Sequence, residues 1–317
     1  MTDIDFTRDT EQYRRELLAH CYRMLGSIAD AEDLVQETYL RAWRSYDRFE
    51  GRSSLRSWLY RIATNACLTA LGHHSRRVLP SGLCGPSSDP DAPPDLAGDE
   101  VSWVQPIPDA LLDPAAVVTA REGLRLALIA SLQYLPPKQR AVLILRDVLA
   151  FPAAEVAEVL ETSVAAVKST LQRARARLDE VRPAADDLVE PAEPELRALL
   201  DSYIAAFVNS DAALLEKILR SDATLEAVPA RTWYSGMETC LPYLVRHAFR
   251  DPGDWAMVPV RANGQAAAVS YERGADGVHR AWGVLVLTAG EGGIARVHAF
   301  ADPGLVGRFG FPEIWPR

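Results

Sequence analysis

The chain has 317 residues, room for two or three domains, and its 48% hydrophobic content supports true cores rather than wholesale disorder. A formal net charge of −9 excludes a protein that coats nucleic acid non-specifically; a DNA binder with this balance must concentrate its positive charge locally. The acidic start, Met1-Thr-Asp-Ile-Asp-Phe-Thr-Arg-Asp9, lacks a signal-peptide core, and no apolar run approaches the ~18 residues of a membrane span, so a cytoplasmic location is expected.

Residues 11–77 read as helices. Leu17, Leu18, Cys21, Tyr22 and Leu25 recur at helical spacing, and Gly26 ends the run. Asp30 is the expected N-cap of the next helix, in which Leu34, Val35, Thr38, Tyr39 and Ala42 or Trp43 form one apolar face. Residues 54–71 form a third amphipathic helix, with Leu55, Trp58, Leu59, Ile62, Ala66 and Leu71 inward and Tyr60 off that stripe.

Residues 78–120 change character. Eight prolines and seven acids fall there with no Lys or Arg, so an acidic, Pro-rich linker is expected. Trp103-Val-Gln-Pro-Ile-Pro-Asp109 departs from a pure spacer, because Trp and Ile bury themselves against something. Helices return over 121–183, broken at Pro136-Pro137 and Pro152. Beyond Pro191 and Pro194, the helical text of Leu196–Phe207 gives way to strand-like runs at 266–271, 281–288 and 294–300, an α+β pattern. The cysteines (Cys21, Cys67, Cys84, Cys240) include no Cys-x-x-Cys and suit a reducing compartment; neither a metal nor another cofactor is expected.

Within 152–178 lies a helix-turn-helix. Val156, Ala157, Val159 and Leu160 suit a short first helix, Glu161-Thr-Ser163 the turn, and Ser163 the N-cap of the second. In that second helix Val164, Val167, Leu171, Ala174 and Leu178 make one buried stripe. The remaining faces carry Lys168, Ser169, Gln172, Arg173, Arg175 and Arg177, with no acid between Val164 and Leu178. Such a helix suits a major groove, Arg and Gln reading base edges while Lys and Ser hold phosphates.

With these residues in view, the chain resembles the extracytoplasmic-function (ECF) sigma factors of RNA polymerase. Asp30-Ala-Glu-Asp-Leu-Val-Gln-Glu-Thr-Tyr-Leu-Arg-Ala-Trp43 resembles their second-region helix that binds the β′ clamp helices, which would turn Asp33, Gln36 and Glu37 to core polymerase. Phe49-Glu-Gly-Arg-Ser53 and Trp58-Leu-Tyr-Arg-Ile-Ala-Thr-Asn65 resemble the loop and helix that open the −10 element and pocket a flipped base. The resemblance implies Arg48, Arg52, Arg61 and Asn65 as contacts there, and Tyr60, off the apolar stripe, as a ring that stacks on unpaired DNA. Residues 131–178 resemble the fourth region, which would read the −35 element through Lys168, Ser169, Gln172, Arg173 and Arg175 and meet the β flap. Two positions depart from the family pattern. The end Leu71-Gly-His-His-Ser-Arg-Arg77 is less basic than usual, and Thr170 stands where many relatives carry Arg.

In related sigma factors the linker threads the polymerase cleft, where this one would act as an electrostatic mimic of nucleic acid. The Trp103–Asp109 motif resembles a linker motif of large sigma factors with an added C-terminal domain. Residues 194–317 resemble SnoaL-like domains, the cone-shaped α+β fold shared with nuclear transport factor 2 and ketosteroid isomerase, through Leu200–Phe207, Thr232–Gly236 and Ile294–Phe300. Tyr234, His247, His298 and Asp302 are candidate polar groups of a ligand pocket, with no spacing that makes a catalytic pair.

The expected architecture is therefore multidomain: a sigma region 2 helical bundle (8–77), the linker (78–120), a sigma region 4 helix-turn-helix (121–183) and a SnoaL-like α+β cone (194–317). The expected function is that of an alternative sigma factor, not an enzyme, with core RNA polymerase and promoter DNA as partners, a small molecule as a candidate ligand, and no membrane. Its rivals are a ligand-responsive helix-turn-helix regulator and an isomerase or cyclase fused to a DNA-binding segment.

Overall fold

A computed structural model of the chain describes residues 3–49, 51, 53–73, 75–112, 122–181 and 191–315. The chain divides into two compact units, one of residues 1–77 and 109–183, the other of residues 78–108 and 184–317.

The first unit is helical. Helix α1 (Asp3–Thr10) leads into α2 (Arg14–Leu25), whose Leu17, Leu18, Cys21, Tyr22 and Leu25 are buried as their spacing predicts. Gly26 ends α2 in the left-handed region (φ 71°), its N–H donating to Tyr22 O. Helix α3 (Ile28–Ser45) begins three residues earlier than expected. Ser27, not Asp30, is the N-cap, its hydroxyl accepting from the Asp30 N–H at 3.2 Å. Asp30 thus lies in the first turn, where it is favoured by the helix dipole and pairs with Arg77. Helix α4 (Leu55–Leu71) is capped by Ser54, which accepts from the Ser57 N–H at 3.0 Å.

In the second half of this unit α5 (Leu126–Leu132) and α6 (Pro137–Leu143) part at Pro136-Pro137, and α6 runs on as a π turn over Ile144–Val148. Helix α7 (Ala153–Val159) follows Pro152, and α8 (Val164–Val181) follows a turn in which Glu161 takes φ 51°. Ser163 accepts from the Ala166 N–H at 3.1 Å, the cap expected for the reading helix. The buried stripe of α8 is Val167, Leu171 and Ala174; Val164, on the opening turn, is 40% exposed, a departure from the spacing.

The second unit is α/β. Helices α9 (Glu193–Val208) and α10 (Ala212–Ile218) precede β1 (Leu219–Val228), β2 (Trp233–Ser235), α11 (Met237–Tyr243), β3 (Trp255–Ala262), β4 (Gln265–Arg273), β5 (His279–Gly290), β6 (Gly293–Phe300) and α12 (Pro303–Arg308). The strands form one sheet in the order β2-β1-β6-β5-β4-β3, with β1 and β6 parallel and the other pairs antiparallel. Pro259 is tolerated inside β3 because that strand lies at the sheet edge.

Alternation along the strands gives the sheet two buried faces. Leu225, Tyr234, Leu285, Leu287, Val297 and Ala299 share a core with Leu200, Tyr203 and Phe207 of α9 and Leu215 of α10. The opposite face carries Glu226 and His298, and Ser81 reaches Glu226 there, its N–H donating to Oε2 at 2.8 Å.

Residues 78–108 do not behave as a free spacer. The Trp233 indole donates to Cys84 O at 2.8 Å, Ser87 N–H to Trp233 O at 2.7 Å, and Arg231 N–H to Asp95 O at 2.7 Å, covering the open edge at β2. Val104 and Ile107 are fully buried, and Ile107 N–H donates to Asn263 Oδ1 at 3.0 Å. Two linker acids are neutralised within the unit, Asp91 by Arg246 and Glu100 by Arg231. In the Trp103–Asp109 motif Val104, Pro106 and Ile107 are buried, while Trp103 is half-buried.

Candidate polymerase and promoter interface

On α3, Asp33 and Gln36 are exposed, and Glu37 is half-buried and paired with Arg41 at 2.7 Å, one turn on. Leu40 and Trp43 are 50% and 51% exposed on the same ridge. Residues 36, 40 and 43 share a helical face, so Gln36, Leu40 and Trp43 form an apolar-tipped strip among carboxylates. Sequence reasoning missed Leu40. The available signal was its place one turn from Gln36, outside the apolar stripe.

On α4, Arg61 and Asn65 are exposed one turn apart, as a DNA-reading face requires. Arg48 ends a 3-10 turn over Tyr46–Arg48, and Arg52 lies outside the described residues. The turn is positioned by an aromatic cluster in which Phe49 lies 4.9 Å from Trp58 and near-parallel to Tyr46.

Tyr60 is a correction. It is 0% exposed, its ring packs edge-on to His20 (5.1 Å) and Phe151 (5.0 Å), and its hydroxyl lies 3.3 Å from Glu16 Oε2. Burial and the Glu16 carboxylate push its phenol pKa far up. No base can stack on it here. The residue lies off the first apolar stripe because α4 buries two faces, one on α2 and one on α7 and Phe151.

On α8, Lys168, Ser169, Gln172, Arg173 and Arg175 are all exposed. Arg175 is held by Asp147 through two bonds, 2.7 and 2.8 Å, and Arg173 leans on Thr170 Oγ1 at 3.1 Å. Lys168 and Gln172, one turn apart, stand at the centre of the reading face. The two arginines closing α4's tail are also engaged: Arg77 on Asp30, and Arg76 over the Tyr134 ring at 4.3 Å.

The four candidate pocket residues of the second unit do not converge. Tyr234 stacks on Tyr243 (4.3 Å), and Tyr243 lies against His247 (4.9 Å), all on the helix-covered side; burial raises the Tyr234 phenol to about 12. His298 lies on the other side of the sheet, 3.4 Å from Glu226 Oε1. The Glu226 carboxyl stays below its usual pKa despite burial, because the His298 imidazole and Ser81 N–H both favour its charged form. Asp302 is an exposed N-cap, accepting from the Gly304 N–H at 2.9 Å. His298 and Asp302 are thus corrected away from a pocket shared with Tyr234. Among the described residues no three His, Cys, Asp or Glu side chains gather as a metal site, and no helix is long and apolar enough to cross a membrane.

Residues 10–77 match the family model for Sigma-70 region 2, and residues 125–178 that for Sigma-70 region 4. The ECF RNA polymerase sigma factor SigG of Mycobacterium tuberculosis is 49% identical over 98% of this chain and 84% of its own length. The chain belongs to the ECF sigma factors. A probable ECF RNA polymerase sigma factor, SigI of the same species, is 30% identical over 92% of this chain and 91% of its own. The crystal structure of M. tuberculosis extracytoplasmic function sigma factor SigJ superposes with a TM-score of 0.60 at 25% identity, covering 96% of this chain and 99% of that one. That likeness spans the α/β unit as well as both sigma regions. In sigma-factor terms α3 and α4 belong to region 2, and α7 and α8 to region 4.

Proposed function

We propose that this sigma factor docks on core RNA polymerase through the α3 ridge of Asp33, Gln36, Glu37, Leu40 and Trp43. It opens the −10 element with Arg48, Arg52, Arg61 and Asn65, and reads the −35 element with Lys168, Ser169, Gln172, Arg173 and Arg175. The observation that carries this reading is that an acidic, apolar-tipped helix face and a basic, acid-free helix face are exposed in one chain, in the order the two sigma regions require. Run-off transcription from genomic fragments with purified core polymerase tests it: promoter-specific transcripts appear only when the chain is added. Absence of both transcript and core binding would sink the reading.

The α/β unit is read as a SnoaL-like cone with a regulatory role. The reading is supported by one mixed sheet wrapped over α9, α10 and α11. Its helix-facing interior is filled by Tyr203, Phe207, Tyr234, Tyr243 and Trp255, which favours packing over small-molecule binding. Its polar work is done on the linker, through Glu226, Arg231, Trp233 and Asn263. The unit therefore regulates by holding residues 78–108, the segment that in related factors enters the polymerase.

A further inference from the structure

The cations of α8 are not equivalent. Among the described residues Lys168 meets no carboxylate, and Arg173 leans on the Thr170 hydroxyl at 3.1 Å. Arg177 is paired with Glu180, one turn on, at 3.1 Å. Arg175 is held from outside the helix, by both oxygens of Asp147. Asp147 lies in the π turn Ile144–Val148 that ends α6, and α6 packs on α8. That turn is itself fixed. The Arg146 guanidinium donates to Phe151 O, and the Phe151 N–H donates to Leu145 O at 2.9 Å. A π turn inside a helix is uncommon and recurs at functional sites.

The contact is side-on. Arg175 Nε donates to Asp147 Oδ2 at 2.8 Å, and Nη2 donates to Oδ1 at 2.7 Å. A guanidinium carries five N–H donors, and this pairing uses two of them. Both on Nη1 and the second on Nη2 are left, and together they form the fork at the end of the group. The Arg175 side chain is 59% exposed, so that fork is open to a partner from outside.

Charge decides which partner. An arginine paired with a carboxylate brings almost no net charge to a phosphate, and the carboxylate repels phosphate oxygens at close range. Phosphate affinity rests on that net charge and on the counterions it releases. Guanine N7 and O6 are uncharged acceptors set side by side in the major groove, and a guanidinium fork meets both. A fork already fixed in direction also loses less side-chain entropy on contact than a free one. Lys168, Gln172 and Arg175 follow one another at steps of four and three, so Arg175 continues the face that the other two begin. It stands ~4.5 Å along the helix axis from Gln172, close to one base-pair step.

We infer that Asp147 is a positioning residue for sequence reading: it holds Arg175 so that the free fork takes a guanine edge beside the base pair met by Gln172. Asp147 itself touches no DNA. It withholds Arg175 from phosphates and fixes its direction, so that one basic residue serves specificity rather than general affinity. The inference rests on the −35 reading of α8 proposed above. It adds the base that Arg175 reads and the residue that sets that preference.

The test is binding of the full chain to duplexes carrying the −35 element of a run-off promoter, each base pair changed singly, over a salt series. The unmodified chain should prefer guanine by about tenfold or more at one position. Asp147→Asn should lose most of that preference, and its salt slope should steepen by about 1 as the freed Arg175 takes a phosphate. Arg175→Gln should lose the same preference without steepening, and Asp147→Asn should add nothing in that background. A merely structural tie gives another pattern, in which Asp147→Asn weakens every duplex alike and leaves the preference intact. That result, or an unchanged salt slope, would overturn the inference alone. No −35 binding by the unmodified chain would instead overturn the reading of α8, and the inference with it.

Discussion

Tyr60 and Asn65 sit five residues apart on α4 and have opposite fates. Tyr60 is enclosed by His20, Arg56 and Phe151, so Tyr60→Ala is expected to cost about 3–5 kcal/mol in urea unfolding. Asn65→Ala, on the exposed face, should stay within about ±0.5 kcal/mol of wild type while weakening binding of single-stranded −10 oligonucleotides. Equal effects of the two on both measurements would refute the division. His20 makes a second residue-scale prediction. It is fully buried, its Nε2 is 3.0 Å from Thr64 Oγ1, and burial followed by the nearby Arg23 and Arg56 charges lowers its pKa to about 3. Between pH 6.5 and about 3 the unfolded chain binds a proton that the folded chain refuses. Stability from this neutral histidine is therefore complete above pH 6.5 and lost as pH falls through that window, on the order of 5 kcal/mol in all. His20→Asn should flatten the pH dependence of unfolding in that range.

Single elements show how far periodicity carries. The helix-turn-helix was legible because its buried positions, Val167, Leu171 and Ala174, recur at helical steps and its cap, Ser163, has a donor to meet. Lys168 and Gln172 then separate two kinds of contact. Lys168→Ala should weaken −35 binding uniformly across sequences and lower the salt slope by about 1, as loss of one phosphate contact does. Gln172→Ala should cost ~1–3 kcal/mol at one base pair and relax preference there, read by binding to a panel of −35 duplexes. Identical behaviour of the two would mean that α8 lies in another orientation. Helix α4 was legible in its bounds and not in its faces. One apolar stripe was visible in its residues, but burial of a second face, with Tyr60 and Ser57, depends on Phe151 and Glu155 arriving from more than ninety residues away.

At the scale of the molecule, the segment 78–108 is the largest departure from its sequence. Its prolines and acids read as a spacer, yet Val104 and Ile107 are fully buried and its 84–97 stretch covers the β2 edge. Ile107→Ala is expected to destabilise the second unit by about 2–5 kcal/mol, and to speed cleavage at Asp89–Glu100 by an Asp/Glu-specific protease. Unchanged cleavage would show that the buried Ile107 does not hold the acidic stretch. If the unit regulates by retaining this segment, the same variant should also change run-off transcript yield.

By itself the sequence determined the main helices of both sigma regions, the order of those regions and the α+β character of the last third, because helix caps, breakers and hydrophobic period are local properties. Family membership was legible for the same reason, since Asp30–Trp43 and Phe151–Arg177 carry their patterns in contiguous residues. Three things were decided only by tertiary structure: which face of α4 is free, where the linker lies, and that region 4 caps the end of α2. Each depends on a partner distant in the chain. The Arg140–Met24 bond closes a loop of more than a hundred residues, and an unsatisfied carbonyl at the end of a helix does not reveal which distant donor will reach it.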